Sequence, residues 1–583
     1  MDEKNEKSTY DPSSVEITTV YEHEISDNAS VDGTNLRRVA DTIPVAAGFI
    51  LMNELCERLS YYGGSAPFQN YVQYGPLDST PGKLDKGQSV ATALQNFFTF
   101  FCYFTPMLGA IVADQYVGRY NTILIFSCVY LIGWIILTCT SIPSSLEAGA
   151  GFPGYVVALV VIGFGTGGIK GIVSPLCADQ YKYDHDYVKE LPSGEKVLVD
   201  YSLSIQRLYN WFYWAINIGS LVGGVVCPLL ELNVDFWAAY LLPTCMLLVS
   251  IIVFVSGSKY YYKPKPTGSI ILKAFGVIGQ AWRQRSLPAN KEARKSCKDF
   301  MDFAKRDSGM TNTAPWDEKM TEKAAHWDDQ FVDELKQAIM ACKIFLPLSI
   351  YWVCYNNLSN NLISQAAVMA RPASLPNNIM NNFDPIALLI FIPIVDLVIY
   401  PFLRRNKINF FPQQRITLGF FIGSLSMVYA AVVQHYIYQD PLFIETGDSS
   451  NVSVFIQIPC YVLIAFSEIF ASITSIEYAY THAPKSMKSL VSALSLWPNC
   501  IAALISLAIS PVSQDPNMVW VYTGVACGAF AFGIIYYYLF RHYDTIDEEY
   551  RLNKLNEKVP HATPALDLDP MTMETPWDKD AKL

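Results

Sequence analysis

Twelve stretches of predominantly apolar residues recur along the chain, near 43–62, 88–113, 120–140, 154–176, 202–228, 237–257, 338–358, 383–403, 413–435, 454–480, 488–511 and 518–540. A helix needs about 20 such residues to cross roughly 30 Å of hydrocarbon, so each predicts a transmembrane span. The polar intervals are short except for one, 258–337, which is charged and rich in Lys, Asp and Trp. It divides the pattern into six spans and six. The expected organisation is a disordered amino-terminal tail (1–42), a six-helix bundle (43–257), a linker (258–337), a second six-helix bundle (338–540) and a disordered tail (541–583) whose Asp, Glu and Pro content disfavours a packed core.

Composition agrees with the pattern: 51% of residues are hydrophobic and 16% charged, too apolar for a water-soluble chain of 583 residues. The net charge of −11 lies largely in the tails and loops and does not suit a nucleic-acid binder. Lys and Arg set the orientation. With residues 1–42 inside, the inside connections hold Arg119, then Lys182, Lys189 and Lys196, the set from Lys259 to Arg306, then Arg404, Arg405 and Lys407, and Lys485 with Lys488. The outside ones hold Lys83, Lys86 and Arg371, so both termini are expected in the cytoplasm and the sequon Asn451-Val452-Ser453 outside. An all-α protein of two six-helix bundles joined by a long cytoplasmic link has the layout of the major facilitator fold, whose central cavity opens alternately to each side. The linker's basic residues, among them Arg283, Arg285, Lys291, Arg294, Lys295 and Lys298, read as a solvated face, with binding of anionic headgroups as the alternative. Most of the 13 cysteines sit in apolar runs without a CxxC, which indicates neither a disulfide framework nor a zinc site. No apolar core preceded by basic residues opens the chain, and a cleaved signal peptide is not expected.

Charges inside the spans carry the functional signal. Glu54, Glu57 and Arg58 fall at i, i+3 and i+4 on one face of the first span, with Tyr61 a turn further on. A charged side chain at mid-membrane costs about 2.5–3.5 kcal/mol on insertion scales, so such a group is kept where it meets a partner, water or a ligand. One arginine neutralises one carboxylate fully and the other in part, which leaves an acid with reason to hold a proton; the plain alternative is a structural salt bridge. Lys170, among the glycines of the fourth span, has no anion near it in its own helix, and Glu468 is mid-span in the tenth. Glu477 reads as a helix-end acid that reaches water, and Asp396 is open between the two readings. Glu54, Glu57 and Glu468 against Arg58 and Lys170 leave a charge of −1, which one proton balances. The cations lie in the first half and Glu468 in the second, so a ligand with a carboxylate at one end and an ammonium at the other would bridge them. Tyr61, Tyr62, Tyr103, Tyr213 and Trp497 are candidates to line the pocket, with Asn217 and Ser472 as hydrogen-bonding groups.

These residues also carry a resemblance. Glu54-x-x-Glu57-Arg58 followed by Tyr61-Tyr62-Gly63 resembles the ExxER(F)xYYG motif of the proton-dependent oligopeptide transporter family. Gly109-Ala110-Ile111-Val112-Ala113-Asp114-x-x-x-Gly118 and Phe212-Tyr213-Trp214-Ala215-Ile216-Asn217-Ile218-Gly219-Ser220-Leu221 resemble two further signatures of that family, and the long tails and linker are most similar to its fungal branch. The resemblance implies a proton-coupled symporter that imports di- and tripeptides across the plasma membrane, with the proton as coupling ion and no cofactor. It implies proton coupling by Glu54, Glu57 and Arg58, recognition of the peptide carboxylate by Arg58 and Lys170, recognition of the amino terminus by Glu468, and a cavity that includes Tyr61, Tyr62, Tyr103, Asn217, Ser472 and Trp497. Departures are Leu59 for the usual Phe, Asp384-Pro385 for Asn-Pro, and Asn96 where animal members carry a histidine. Proton handling at that last position cannot use an imidazole.

Rival readings are a same-family carrier of nitrate or of an amino-acid conjugate, and a nutrient receptor without transport. An enzyme is not expected. His23, His185, His326, His435, His482, His542 and His561 all lie in tails, loops or at span ends, and neither HExxH nor a nucleophile with an evident intramembrane base is present.

Overall fold

A computed structural model of the chain describes residues 28–31, 34–78, 80, 82–183, 185–190, 194–266, 268–286, 299–305, 327–406, 410–484 and 487–558. Among these, eleven helices are long and apolar enough to cross a membrane. Val45–Ser65, with 21 residues, is the remaining span and is set apart from them by the three charges it carries. The expected twelve are thus accounted for.

In the first half the first helix packs along the fifth, Tyr201–Asn233, and the sixth, Phe236–Ser256; the fourth, Gly151–Lys170, packs on the second, Gln88–Val112, and the third, Arg119–Thr140. Glycines permit the closest of these approaches. A Cβ on Gly219 would stand 2.5 Å from the Leu55 carbonyl oxygen, and one on Gly223 2.5 Å from that of Leu59, so the first and fifth helices touch backbone to backbone beside the charged turn. In the second half the ninth helix, Pro412–Gln439, lies along the tenth and twelfth, and the seventh along the eleventh. The halves meet where the second helix packs on Trp497–Ile509 of the eleventh.

Several spans differ from their expected outlines. The fifth continues through Pro228 to Asn233, which brings Glu231 into the helix. The seventh spans Asp329–Val368 with breaks, longer than the apolar run 338–358, because an amphipathic segment, Asp329–Cys342, precedes it and Asn361–Val368 extends it. The tenth is helical over Ile458–Glu468, widens to a π turn over Ile469–Ile473 and resumes at Thr474. A π turn inside a helix often marks a functional position, and this one follows Glu468 and contains Ser472.

Both tails carry structure where disorder is expected. Asn28–Val31, Thr34–Val39, Lys196–Val199 and Tyr187–Glu190 form a four-stranded sheet in that order, with Arg37, Arg38 and Val39 parallel to Val197, Leu198 and Val199. β-branched residues favour these strands, and Val197, Leu198 and Val199 are buried. Asp41 anchors the junction: the Tyr187 hydroxyl donates to it at 2.6 Å and the Lys189 ammonium at 2.8 Å. Burial works against the Asp41 anion, but the bonds from Lys189, Tyr187 and the Thr42 amide outweigh it and hold the carboxyl below its ordinary range. At the other end the twelfth helix runs on from Met518 to Lys558, since no Gly or Pro interrupts 541–559. The remaining tail residues, 1–27 and 559–583, lie outside the described residues, as do Lys291, Arg294, Lys295 and Lys298 of the basic stretch.

The linker contains a helix, Ile270–Ser286. Its start is pinned to the end of the second span, where the Gly268 amide donates to the Asp114 carbonyl at 3.0 Å and the Ser269 amide to Gln115 Oε1 at 3.0 Å. Its body packs on Phe300–Ala304 and on Lys488–Leu494 at the start of the eleventh span.

At the end of the molecule opposite the linker helix, a seam of polar side chains, most of them uncharged, joins the halves. The Gln69 amide donates to Ser364 Oγ at 3.1 Å, Asn70 to Asn377 at 2.8 Å, Thr92 Oγ1 to Asn361 at 3.3 Å, Asn360 to Asn96 at 3.2 Å and Asn382 to the Gly224 carbonyl at 2.7 Å.

Candidate functional site

The helical spacing of Glu54, Glu57 and Arg58 is realised as one buried cluster, with exposures of 3%, 2% and 5%. Arg58 Nε lies 2.7 Å from Glu54 Oε1 and 2.8 Å from Glu57 Oε2. Thr166 of the fourth helix donates to Glu57 Oε1 at 3.1 Å. A single guanidinium nitrogen thus pairs with both acids while donating its hydrogen bond to Glu54, and the second acid also leans on a hydroxyl from another helix. Thr166 was not among the predicted site residues, and no charge or motif singles it out.

Tyr61 continues the same face. Its ring lies 5.9 Å from the Arg58 guanidinium carbon, 5.1 Å from Tyr62 and 6.0 Å from Phe98. The Lys170 ammonium stands 3.7 Å from the centre of the Tyr103 ring and 5.3 Å from that of Tyr61. Two aromatic faces therefore hold a cation that, among the described residues, has no carboxylate within ion-pair distance.

Glu468 faces this group from the second half. It is close enough to Tyr62, Tyr103 and Tyr213 of the first half to act on them electrostatically, and it acts likewise on Tyr351 and Tyr355 of its own. Its Oε2 is buried with no hydrogen-bond partner among the described residues. Asp384 at the start of the eighth helix is 5% exposed and within electrostatic reach of Glu468. The Tyr355 hydroxyl donates to Asp384 Oδ2 at 3.4 Å, and Oδ1 has no partner among the described residues. Tyr103 is thus within reach both of a lysine and of an acid that, among the described residues, lack an ion-pair partner.

The other predicted residues are placed less directly. Asn217 donates to the Tyr213 carbonyl a turn back at 2.9 Å, two residues before the Gly219 crossing. Ser472 is buried within the π turn, and Trp497 is 39% exposed at the first turn of its helical segment. Among the described residues no hydrogen bond or ion pair links these three to the charged groups. Tyr62 and Tyr213 are 40% and 66% exposed although they flank buried charge. Among the described residues no group of His, Cys, Asp and Glu is arranged to hold a metal ion.

Residues 120–526 match the family model PTR2, described as the POT family. The chain belongs to the POT family. Among POT relatives, a probable peptide transporter of Schizosaccharomyces pombe is 47% identical over 518 residues, covering 88% of this chain and 80% of that protein. The peptide transporter PTR2 of Saccharomyces cerevisiae is 41% identical over 520 residues, covering 88% and 82%. The crystal structure of the POT family transporter PepTSo aligns with 87% of this chain and 99% of its own at a TM-score of 0.67 and 23% identity, which supports the fold. This POT protein is accordingly a multi-pass membrane transporter and not an enzyme.

Proposed function

We propose that this chain imports di- and tripeptides across the plasma membrane by proton symport, with both termini in the cytoplasm. The observation that carries the reading is a pair of ionisable groups of opposite sign on the two halves that lack ion-pair partners among the described residues: Lys170 over Tyr103, and Glu468 within reach of the same ring. A zwitterion laid across that ring satisfies both, its carboxylate toward Lys170 and Arg58 and its ammonium toward Glu468. The names of three fungal relatives, each a peptide transporter, support a peptide as that zwitterion.

Coupling follows from the sharing of Arg58. A peptide carboxylate that draws on Arg58 takes it from Glu54 or Glu57, and a buried carboxylate without its counter-charge takes up a proton. Peptide and proton together remove the uncompensated charge, which favours closure of the halves around the load. With the seam at the outer end joined, the conformation described here is the one that faces the cytoplasm. Tyr61, Tyr62, Tyr103, Asn217, Ser472 and Trp497 line the cavity.

The test is acid-driven accumulation of a labelled dipeptide in cells that express Glu54→Gln or Glu57→Gln. Accumulation against a gradient should be lost in at least one, while counterflow exchange of peptide persists. Undiminished acid-driven accumulation in both variants would defeat the coupling assignment, and competition by nitrate but not by dipeptides would defeat the substrate.

A further inference from the structure

Glu231 plays no part in the site above, yet it is buried at 8% exposure near the outer end of the fifth helix. Among the described residues no cation forms an ion pair with it. Instead its two oxygens are divided between the halves. Asn70 of the first half donates to Oε1 at 2.7 Å, and Asn378 of the second half donates to Oε2 at 2.6 Å. Asn70 also exchanges reciprocal bonds with Asn377 at 2.8 and 2.9 Å, and Asn378 donates to the Ala66 carbonyl at 3.3 Å. Glu231 is thus the acid of a seam otherwise made of amides, hydroxyls and the Arg371 guanidinium, which donates to Thr80 Oγ1 at 2.8 Å, and separation of the halves at this end must break its bond to Asn378.

A second observation points to a ligand. Asn378 is 1% exposed, and its Oδ1 has no hydrogen-bond partner among the described residues. A carboxylate cannot donate to that oxygen; a carboxylic acid can. The other groups that bear on Glu231 are Arg371, whose guanidinium is engaged with Ala366, Ala367 and Thr80, together with Tyr240 on the sixth helix and Cys227 on its own. Asp235, four residues on, is paired with Lys83 at 2.9 Å.

We infer that Glu231 is a second proton-binding site, separate from the Glu54–Glu57–Arg58 cluster, and that its proton loosens the outer seam. As the anion it accepts two charge-assisted bonds, one from each half. With a proton on Oε2, Asn378 must turn its amide to receive the O–H; it then gives up its bond to Ala66, and both remaining bonds to Glu231 become neutral and roughly half as strong. Acid outside therefore favours reopening toward the side from which protons and substrate arrive. The inference rests on the alternating-access reading above but does not need the substrate to be a peptide.

The experiment places a cysteine at Ala367, a buried position whose carbonyl takes a bond from Thr80 across the seam. Its labelling by a membrane-impermeant maleimide added outside is followed at pH 7.5 and 5.5. Each rate is divided by that of the detergent-unfolded chain at the same pH, and the chain without the added cysteine gives the background. The parent should label several-fold faster at pH 5.5. Glu231→Gln, fixed in a neutral form, should label at the fast rate at both pH values. Asn378→Ala, which leaves the acid in place and removes its partner across the seam, should do the same and serves if Glu231→Gln does not reach the membrane. A parent without acid response, or variants that respond as the parent does, would overturn the inference. A normal labelling response without any peptide accumulation would instead strike at the substrate reading alone.

Discussion

The two halves of the molecule treat buried charge in opposite ways. The first half sets its acids against a base on the same helix: Arg58 is within 2.8 Å of both Glu54 and Glu57, all three nearly sealed from solvent. The second half gathers Glu468 and Asp384 with tyrosines and, among the described residues, with no cation in ion-pair contact. A self-balanced cluster can stay closed while empty. An unbalanced one is expensive until something positive arrives. In the proposed mechanism the first half exchanges partners and the second captures a cation.

The strongest way to break that contrast is to unbalance the first half. Arg58→Gln strands two buried carboxylates, a loss of about 3–5 kcal/mol for a broken buried pair, and uptake should fall about a hundredfold or more. Uptake above a tenth of normal, at normal surface abundance, would show that the cluster is only structural. Next in size is the capture of the amine. Glu468→Gln removes a charged hydrogen bond worth about 1.5–3 kcal/mol; competition by free-amine dipeptides should weaken ten- to hundredfold while N-acetylated dipeptides compete as before. An equal loss for both would remove the amine from Glu468.

Asp384→Asn sharpens the comparison, since it keeps the side-chain shape and halves the uncompensated charge of the second half. Uptake of neutral dipeptides should change no more than about fivefold, by the difference of roughly 1 kcal/mol or less expected for one isosteric exchange. Dipeptides with a lysine at the amino-terminal position should lose more than neutral ones, and equal losses would place Asp384 away from the ligand. The smallest effect lies outside the membrane. Asp41 is held below the ordinary carboxylate range by Lys189 and Tyr187 despite the cost of its burial, so its contribution is complete above the unfolded value and is lost as pH falls through the lowered one. Because Lys189 is well exposed, Asp41→Asn should cost less than about 1 kcal/mol, seen as faster proteolysis before residue 41 with uptake unchanged. A slowed transport cycle would instead tie the strand to the motion of the halves.

Much of this was legible in the sequence because membrane burial makes charge conspicuous. Glu54, Glu57, Arg58, Lys170 and Glu468 stand out against apolar runs, and the 3.6-residue period puts the first three on one face. What the sequence hid was of two kinds. Neutral partners such as Thr166, Asn70 and Asn378 carry no charge to notice. Glu231 was hidden by a boundary, because the apolar run ends near 228 while the helix continues to Asn233. The tails were misread for a related reason. Their polarity argues against a core, but the strands of 28–39 are completed by a hairpin some 160 residues later in the chain, and the helix to Lys558 continues one already folded.

The linker helix has a bearing on how far the machine can travel. It leaves the first half bonded to the backbone of the second span and comes to rest against the eleventh, on the flank where those two spans already touch. A strut of 17 residues, about 25 Å at 1.5 Å per residue, thus touches both halves on that flank. Lengthening the connection elsewhere should leave transport intact, whereas cutting this helix should loosen the contact of the two halves on that flank.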